Sequence, residues 1–398
     1  VANHSVAETY FPFPWILRIP GAEMAESSLL NNAARILKLV QTGTPADQAL
    51  RESLTQTRHF TAPAARRGIS KAVFTYFRWW RWLNEKESLQ KQLAAALLLQ
   101  ERFDKNPAAI KPAALAALAV PDWLKAEMDD IPAAWLQQLQ REPALWIRVK
   151  QGLQARVTPA LGKCEAADLS AFGATGTALR YTGITDLYRT DQFQAGDFEI
   201  QDLASQLVSH AAAPKPGETW WDACAGEGGK TMHLSDLMQN KGLLWASDRS
   251  LRRLAKLKER AARAQVFNFR AAPWEGDAKL PTKTKFDGVL IDAPCSGIGT
   301  WQRNPHARWT TQVKDVQELA LVQKQLLENV AGSLKPGGRL VYAVCTLTRA
   351  ETTEVATAFT NAHPEFTPEP VFGKIPQLTL WPQELNANGM FIAAWRKK

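Results

Sequence analysis

Apolar positions repeat with one period in the first quarter of the chain and with another in its second half. Between about Ala25 and Leu99 the spacing is helical: Leu29, Ala33, Ile36, Leu37 and Val40 fall on one face. Thr44-Pro45-Ala46-Asp47 opens a second helix, with proline early in it. Ala64 to Trp82 forms a third, carrying Ile69, Val73, Phe74 and Phe77 on one side. Proline then punctuates the chain at Pro107, Pro112, Pro121, Pro132 and Pro143, which predicts short helices and connectors. From Ala144 to about Asp197 the pattern is mixed, with a strand at Leu145–Val149 and a helical piece at Asp168–Phe172, as in a small α+β module.

From about Gly217 strands and helices alternate. Strands are expected at Thr219–Ala223, Gly242–Ser247, Val266–Phe269, Phe286–Ile291 and Arg339–Val344, with a last one at Gly389–Trp395. Helices are expected at about Lys230–Gln239, Leu251–Ala264, Val316–Leu334 and Glu351–Asn361, and Lys335-Pro336-Gly337-Gly338 reads as a tight turn. Such alternation predicts an α/β fold built on a doubly wound parallel sheet. With 398 residues, two or three domains fit. The expected division is a helical domain over 1–125, a small α+β module over 126–205 and the α/β domain over 206–398.

Charge narrows the partners. There are 48 Lys+Arg against 39 Asp+Glu, a formal net charge of +9. This excess favours a polyanion, nucleic acid before membrane, although a merely basic protein with no such partner also accounts for it. Arg66, Arg67, Arg78 and Arg81 interleave with Trp79, Trp80 and Trp82. An aromatic core face flanked by snorkelling arginines explains them more simply than an RNA-contacting helix. No run of about 18 apolar residues occurs, so no membrane partner is expected. Val1–Pro20 lacks the basic start and apolar core of a signal peptide, and the expected location is the cytoplasm. Only Cys164, Cys224, Cys295 and Cys345 are present, in no CxxC pair, so neither a metal site nor a disulfide framework is expected.

Asp222-Ala223-Cys224-Ala225-Gly226-Glu227-Gly228-Gly229-Lys230-Thr231 follows a strand and opens a helix. Glycines let backbone approach a ligand, and the helix start offers free N–H groups. A phosphate-binding P-loop would need glycine where Cys224 stands. The dinucleotide pattern is met only at Gly226 and Gly228, which weakens a hydride-transfer reading. Asp248 ends the next strand about 20 residues on, where a carboxylate binds the ribose diol of a nucleoside. S-adenosylmethionine carries that ribose without a phosphate, and its sulfonium cation suits Asp222 and Asp292. The expected cofactor site is therefore Cys224, Ala225, Gly226, Glu227, Gly228, Gly229 and Lys230 with Asp248 and Asp292.

Cys295 and Cys345 each follow a short apolar run. Catalytic groups of open α/β sheets gather beyond the carboxyl ends of such strands. A single cysteine there would be read as a small buried hydrophobe. Two invite covalent chemistry on a base: a thiolate adding to carbon 6 of cytosine makes carbon 5 nucleophilic, and a second group assists release. Lys230 is a candidate cation to stabilise the thiolate, and Asp292 could bond the ring nitrogen or amino group. Cys164 and Cys224 read as structural.

Together these residues resemble the RsmB / NSUN family of RNA cytosine-5 methyltransferases, over roughly Ala144 to the C-terminus. The motifs that carry the likeness are Asp222 to Thr231, Asp292-Ala293-Pro294-Cys295-Ser296-Gly297 and Cys345-Thr346. Phe193 to Gln206 resembles the segment leading into the family's catalytic domain, and Glu142 to Val149 the strand of its RNA-recognition-like module. The helical N-terminus is similar to a NusB-like domain, best over Arg67 to Trp79. The resemblance implies Cys345 as nucleophile and Cys295 as the group that assists breakdown of the adduct. It implies a Rossmann-like class I methyltransferase sheet, S-adenosylmethionine as cofactor and RNA as substrate; ribosomal RNA, then transfer RNA, is the expected partner, and nothing in the sequence demands more than a monomer. Arg148, Arg303 and Arg308 are the expected phosphate contacts.

The chain departs from the family pattern at Glu227, where the family has proline, and at His306, where it has aspartate. The family's acidic contact near the adenine has no clear counterpart around Ala272-Pro273-Trp274, and Trp274 stacking on the adenine is one substitute. A non-catalytic ribosome-assembly factor and a DNA cytosine-5 methyltransferase are the competing readings. The first is disfavoured by retention of both cysteines, Lys230 and Asp292, the second by the thiol at Cys345 and the upstream module.

Overall fold

The structure, a computed structural model, describes residues 22–56, 63–174 and 177–398. The Val1–Pro20 segment lies outside the described residues. The chain divides into two compact units, one of residues up to 76 with 82–99, the other of 77–81 with 100–398.

The first unit is helical, and its apolar stripe is buried as the period predicts: Ala33, Ile36, Leu37, Ile69 and Val73 all have exposures of 3 % or less. Arg66 and Arg67 are exposed.

In the second unit Trp79 is fully buried, and its indole N–H donates to Gln100 Oε1 at 3.0 Å. Arg78 does not snorkel. It is buried, and its guanidinium donates to the same oxygen at 3.2 Å.

Two sheets follow in that unit. The smaller contains β1 (Leu145–Val149), β2 (Cys164–Ala166), β3 (Ala178–Tyr181) and β4 (Phe198–Ile200) in the order β2-β3-β1-β4, paired antiparallel throughout. Ile147, Val149, Val157, Leu179 and Phe198 form its core.

The larger sheet takes β5 (Thr219–Asp222), β6 (Leu243–Asp248), β7 (Phe269–Pro273), β8 (Phe286–Asp292), β9 (Leu334–Val344), β10 (Phe366–Pro368), β11 (Gln377–Leu380) and β12 (Met390–Lys397). Its order is β10-β12-β9-β8-β5-β6-β7, with β11 also paired to β12. The five strands from β9 to β7 are parallel. The doubly wound parallel sheet is extended at one side, where β12 runs antiparallel to β9 and β10 and β11 run antiparallel to β12. An apolar run fixes burial on both faces but not chain direction.

Side chains of successive residues go to opposite faces. Trp220, Leu290, Val341 and Ala343 pack on the face carrying the helix Leu203–Ala212. Trp221, Val289, Ile291, Leu340 and Tyr342 pack on the face carrying the helices Val313–Ala331 and Thr353–Ala362. A sheet covered on both sides in this way is Rossmann-like.

Two element boundaries move from their expected places. The third strand begins at Phe269 rather than Val266, because Val266 packs beneath the helix Leu251–Arg263 and Phe267 is 76 % exposed. Lys335–Gly338 is not a turn ahead of its strand. It forms an excursion within β9, between Leu334 opposite Phe286 and Arg339 opposite Gly288.

His210 and His233 meet edge to face with ring centroids 4.8 Å apart between the helices Leu203–Ala212 and Gly229–Leu237. Burial, then the nearby Arg148 charge, lowers His210 to about 4 and lowers His233 as well. The folded-state values lie below the unfolded one, so the unfolded chain binds more protons as pH falls below about 6.5. Stability present above that pH is lost toward pH 4, by roughly 3 kcal/mol from His210 alone. Urea unfolding at pH 7 and pH 4.5 should show the loss, and His210→Asn should reduce it.

Candidate functional site

The parallel register brings the carboxyl ends of β5, β6, β8 and β9 to one edge, and each end carries chemistry. Asp222 ends β5, Asp248 ends β6, Asp292 ends β8 and Cys345 follows β9. Cys295 lies three residues beyond Asp292. Its loop is fixed to the next strand by Ala293 N–H donating to Ala343 O at 3.0 Å and Gly299 N–H to Cys345 O at 3.0 Å. The two sulfurs are thereby brought 3.3 Å apart, both partly exposed.

The helix Gly229–Leu237 starts at the glycine turn and projects Lys230 across the strand ends. Lys230 Nζ donates to Asp292 Oδ2 at 2.8 Å. Burial works to lower the lysine pKa, but Asp292, Cys345 and Asp222 together raise it, and the ammonium is retained. The two thiols diverge. Cys345 is lowered by the hydrogen bond from Cys295 and by the charges of Lys230 and Arg303, against burial and Asp292. Cys295 is raised by that same hydrogen bond, by burial, and by the charges of Cys345 and Glu351. The pair is thus biased in opposite directions, Cys345 toward the thiolate and Cys295 toward the protonated thiol. Cys224 is driven upward by burial and packs against the core beside the turn, while Cys164 stands in β2 of the small sheet.

The turn itself is backbone. Gly226 and Gly228 have φ of +56° and +86°, and a Cβ on Gly226 would lie 2.4 Å from Arg253 Nη2. Gly226 N–H donates to Asp248 Oδ2 at 2.9 Å, and Arg253 Nη1 donates to the same oxygen at 3.0 Å. Glu227 is exposed, with only its carbonyl engaged, by Arg260 at 3.0 Å. Thr231 Oγ1 donates to Asp222 Oδ2 at 2.6 Å, whereas Asp222 Oδ1 is buried with no partner. Burial pushes this carboxyl up to about 7. An open acceptor, three carboxylates on neighbouring strand ends and a glycine-rich turn fit a ligand with a cationic end and a diol.

Three sequence expectations meet a different environment. Arg148 is buried, pairs with Asp236, and donates to Gln201 Oε1 at 2.8 Å. Arg308 has no exposure and donates to Ala119 O at 3.0 Å and Leu139 O at 2.9 Å. Neither presents a guanidinium to a phosphate; both tie elements of the second unit together. Arg303 is exposed and close enough to act on Cys345. Trp274 is 4 % exposed, stacks obliquely on Trp221 at 4.9 Å, and donates to Asp277 O at 3.0 Å, so no face remains for an adenine. His306 packs edge to face on Phe77 with centroids 4.6 Å apart.

Local sequence did not single out Arg253, Gln323, Thr348 or Glu351, and it offered Ser296 and Thr346 only as members of the cysteine motifs. Ser296, Thr346, Thr348, Gln323 and Glu351 converge beneath the two cysteine loops. Polar residues after an apolar run read only as a loop, and Gln323 belongs to a helix 22 residues before Cys345.

Residues 209–396 match the family described as 16S rRNA methyltransferase RsmB/F. The chain is 31 % identical over 347 residues to the probable ribosomal RNA small subunit methyltransferase B of Synechocystis sp., covering 83 % of this chain and 75 % of that protein. The chain belongs to the RsmB/F methyltransferase family. The protein of the same name from Bacillus subtilis is 38 % identical over 224 residues, which span 52 % of this chain and half the length of that relative. Among solved structures, PH0851 superposes with a TM-score of 0.75 at 24 % identity, covering 96 % of this chain and all of its own, a likeness of fold. No helix among the described residues is long and apolar enough to cross a membrane.

Proposed function

We propose that this chain methylates carbon 5 of a cytosine in RNA, ribosomal RNA ahead of transfer RNA, through a covalent bond to Cys345. The observation that carries this reading is the pair of sulfurs 3.3 Å apart at neighbouring strand ends, with Lys230 and Arg303 acting on Cys345. An enzyme that methylates an exocyclic amine or a ribose hydroxyl has no use for two such thiols.

S-adenosylmethionine supplies an electrophilic methyl group when bound. The backbone of Gly226–Gly229 with Asp248 would hold its nucleoside, and Asp222 and Asp292 would face its cationic end. The chain's own residues do the rest. Cys345 thiolate adds to carbon 6, forming the S–C bond and leaving carbon 5 electron-rich. Asp292, oriented by Lys230, accepts a hydrogen bond from the exocyclic amino group and holds the ring in place for this addition. Once carbon 5 carries the methyl group, its proton passes to solvent water. The electron pair then restores the ring double bond and expels Cys345, with Cys295 assisting that release. A cytosine has to be splayed from its stack to meet both thiols.

Labelled S-adenosylmethionine and total RNA from cells lacking the protein test this reading. It requires 5-methylcytidine by nucleoside mass spectrometry. A label in another nucleoside contradicts it, and RNA binding without transfer points to an assembly factor.

The arginine placements make a separate expectation. Arg303→Ala should weaken RNA binding and reduce the salt slope by about 1, with stability changed by less than about 0.5 kcal/mol. Arg308→Ala should cost roughly 3 kcal/mol or more of folding stability, since it leaves a cavity and two buried carbonyls without donors. RNA binding against salt and urea unfolding separate the two.

A further inference from the structure

Glu351 is fully buried and stands just ahead of the helix Thr353–Ala362. Donors reach its carboxylate from both thiol loops. Ser296, the residue after Cys295, donates through its N–H at 2.8 Å and through its hydroxyl. Thr346, the residue after Cys345, donates at 3.1 Å, and Thr348 at 3.0 Å. Gln323 Nε2 donates at 3.0 Å and also reaches Pro294 O at 2.9 Å, inside the Asp292–Cys295 segment. The Tyr342 hydroxyl closes the cluster, 3.0 Å from Gln323 Oε1 and 2.6 Å from the Glu351 carbonyl. Only an acceptor-rich anion satisfies so many donors at once.

We propose that Glu351 is the positioning residue that locks the two thiol loops in register and keeps Cys295 as the hydrogen-bond donor toward Cys345. This rests on the two-cysteine reading above. The charges around the pair are divided accordingly. The Glu351 anion lies on the Cys295 side, whereas the cations Lys230 and Arg303 act on Cys345. Asp292 opposes them at Cys345, held in check by Lys230, and the Tyr342 hydroxyl lies between Glu351 and the helix Val313–Ala331. A negative charge beside Cys295 disfavours a second thiolate, so the proton stays on that sulfur and the S–H points to Cys345. Glu351 touches neither substrate nor cofactor in this scheme.

The first test needs neither RNA nor cofactor. Limiting iodoacetamide is added to the protein, and the modified cysteine peptides are quantified by mass spectrometry. Cys345 should be alkylated at least about tenfold faster than Cys295. In Glu351→Gln, which replaces acceptors by an amide and removes the charge, this preference should fall toward unity. Glu351→Asp should restore part of it. If Glu351→Gln does not fold by circular dichroism, Ser296→Ala and Thr346→Val each remove one donor and should narrow the ratio severalfold. An unchanged ratio in the folded variants overturns the proposal.

With RNA, Glu351→Gln should lower kcat at least about thirtyfold and leave cofactor Kd, by calorimetry, within about twofold. A loss of kcat no larger than the loss of folded protein would mean a merely structural role and would also overturn it. Absence of 5-methylcytidine from the unmodified protein would instead remove the function reading, while the alkylation result would still decide the role of Glu351.

Discussion

Cys345→Ala is expected to reduce 5-methylcytidine formation by at least about a thousandfold and to abolish every covalent protein–RNA species. Carbon 5 of an intact cytosine is too weak a nucleophile to take the methyl group, so removal of the adding sulfur stops the reaction before transfer. Cofactor affinity should change little, because the turn at Gly226–Gly229 and Asp248 is built from other elements. Calorimetry with S-adenosylmethionine beside a methylation assay checks both halves. Residual turnover above about one per cent would mean that the sulfur is dispensable.

Cys295→Ala is expected to have the opposite character. Adduct formation should persist, since Cys345 keeps Lys230 and Arg303 even as it loses the hydrogen bond from Cys295. Release should slow by at least about a hundredfold, so that the protein accumulates joined to RNA on denaturing gels. The two variants share a site 3.3 Å across yet should differ in kind, one failing to form the bond and the other failing to break it. A Cys295→Ala protein that turns over normally would remove the second thiol from the reaction.

What is legible in the sequence follows from what local sequence encodes. Apolar runs with alternating faces mark β5, β6, β8 and β9, and chemistry placed directly after them has to arrive at one sheet edge. The glycine turn and both thiols are therefore visible from sequence. Burial of charge is not. Arg308 and Arg303 sit five residues apart in one polar stretch, and only the packed fold shows that the first caps two buried carbonyls while the second meets solvent. The same holds for Arg148, whose partner Asp236 comes from a helix 88 residues away. Strand direction is also hidden, since nothing in Met390–Lys397 says that it runs against β9. Glu351 escapes because its meaning lies in donors from Ser296, Gln323 and Thr346, which no sequence spacing groups together.

The claim that Cys345 forms the bond to cytosine is tested most directly by mapping that bond in the unmodified protein. RNA transcribed with 5-fluorocytidine lacks the carbon 5 proton that must leave, so adduct breakdown is blocked with both cysteines in place. After incubation with S-adenosylmethionine, protease and nuclease digestion leaves a peptide carrying one nucleotide. Tandem mass spectrometry should locate it on Cys345. A nucleotide on Cys295, or no crosslinked peptide from a protein that methylates ordinary RNA, would contradict the assignment.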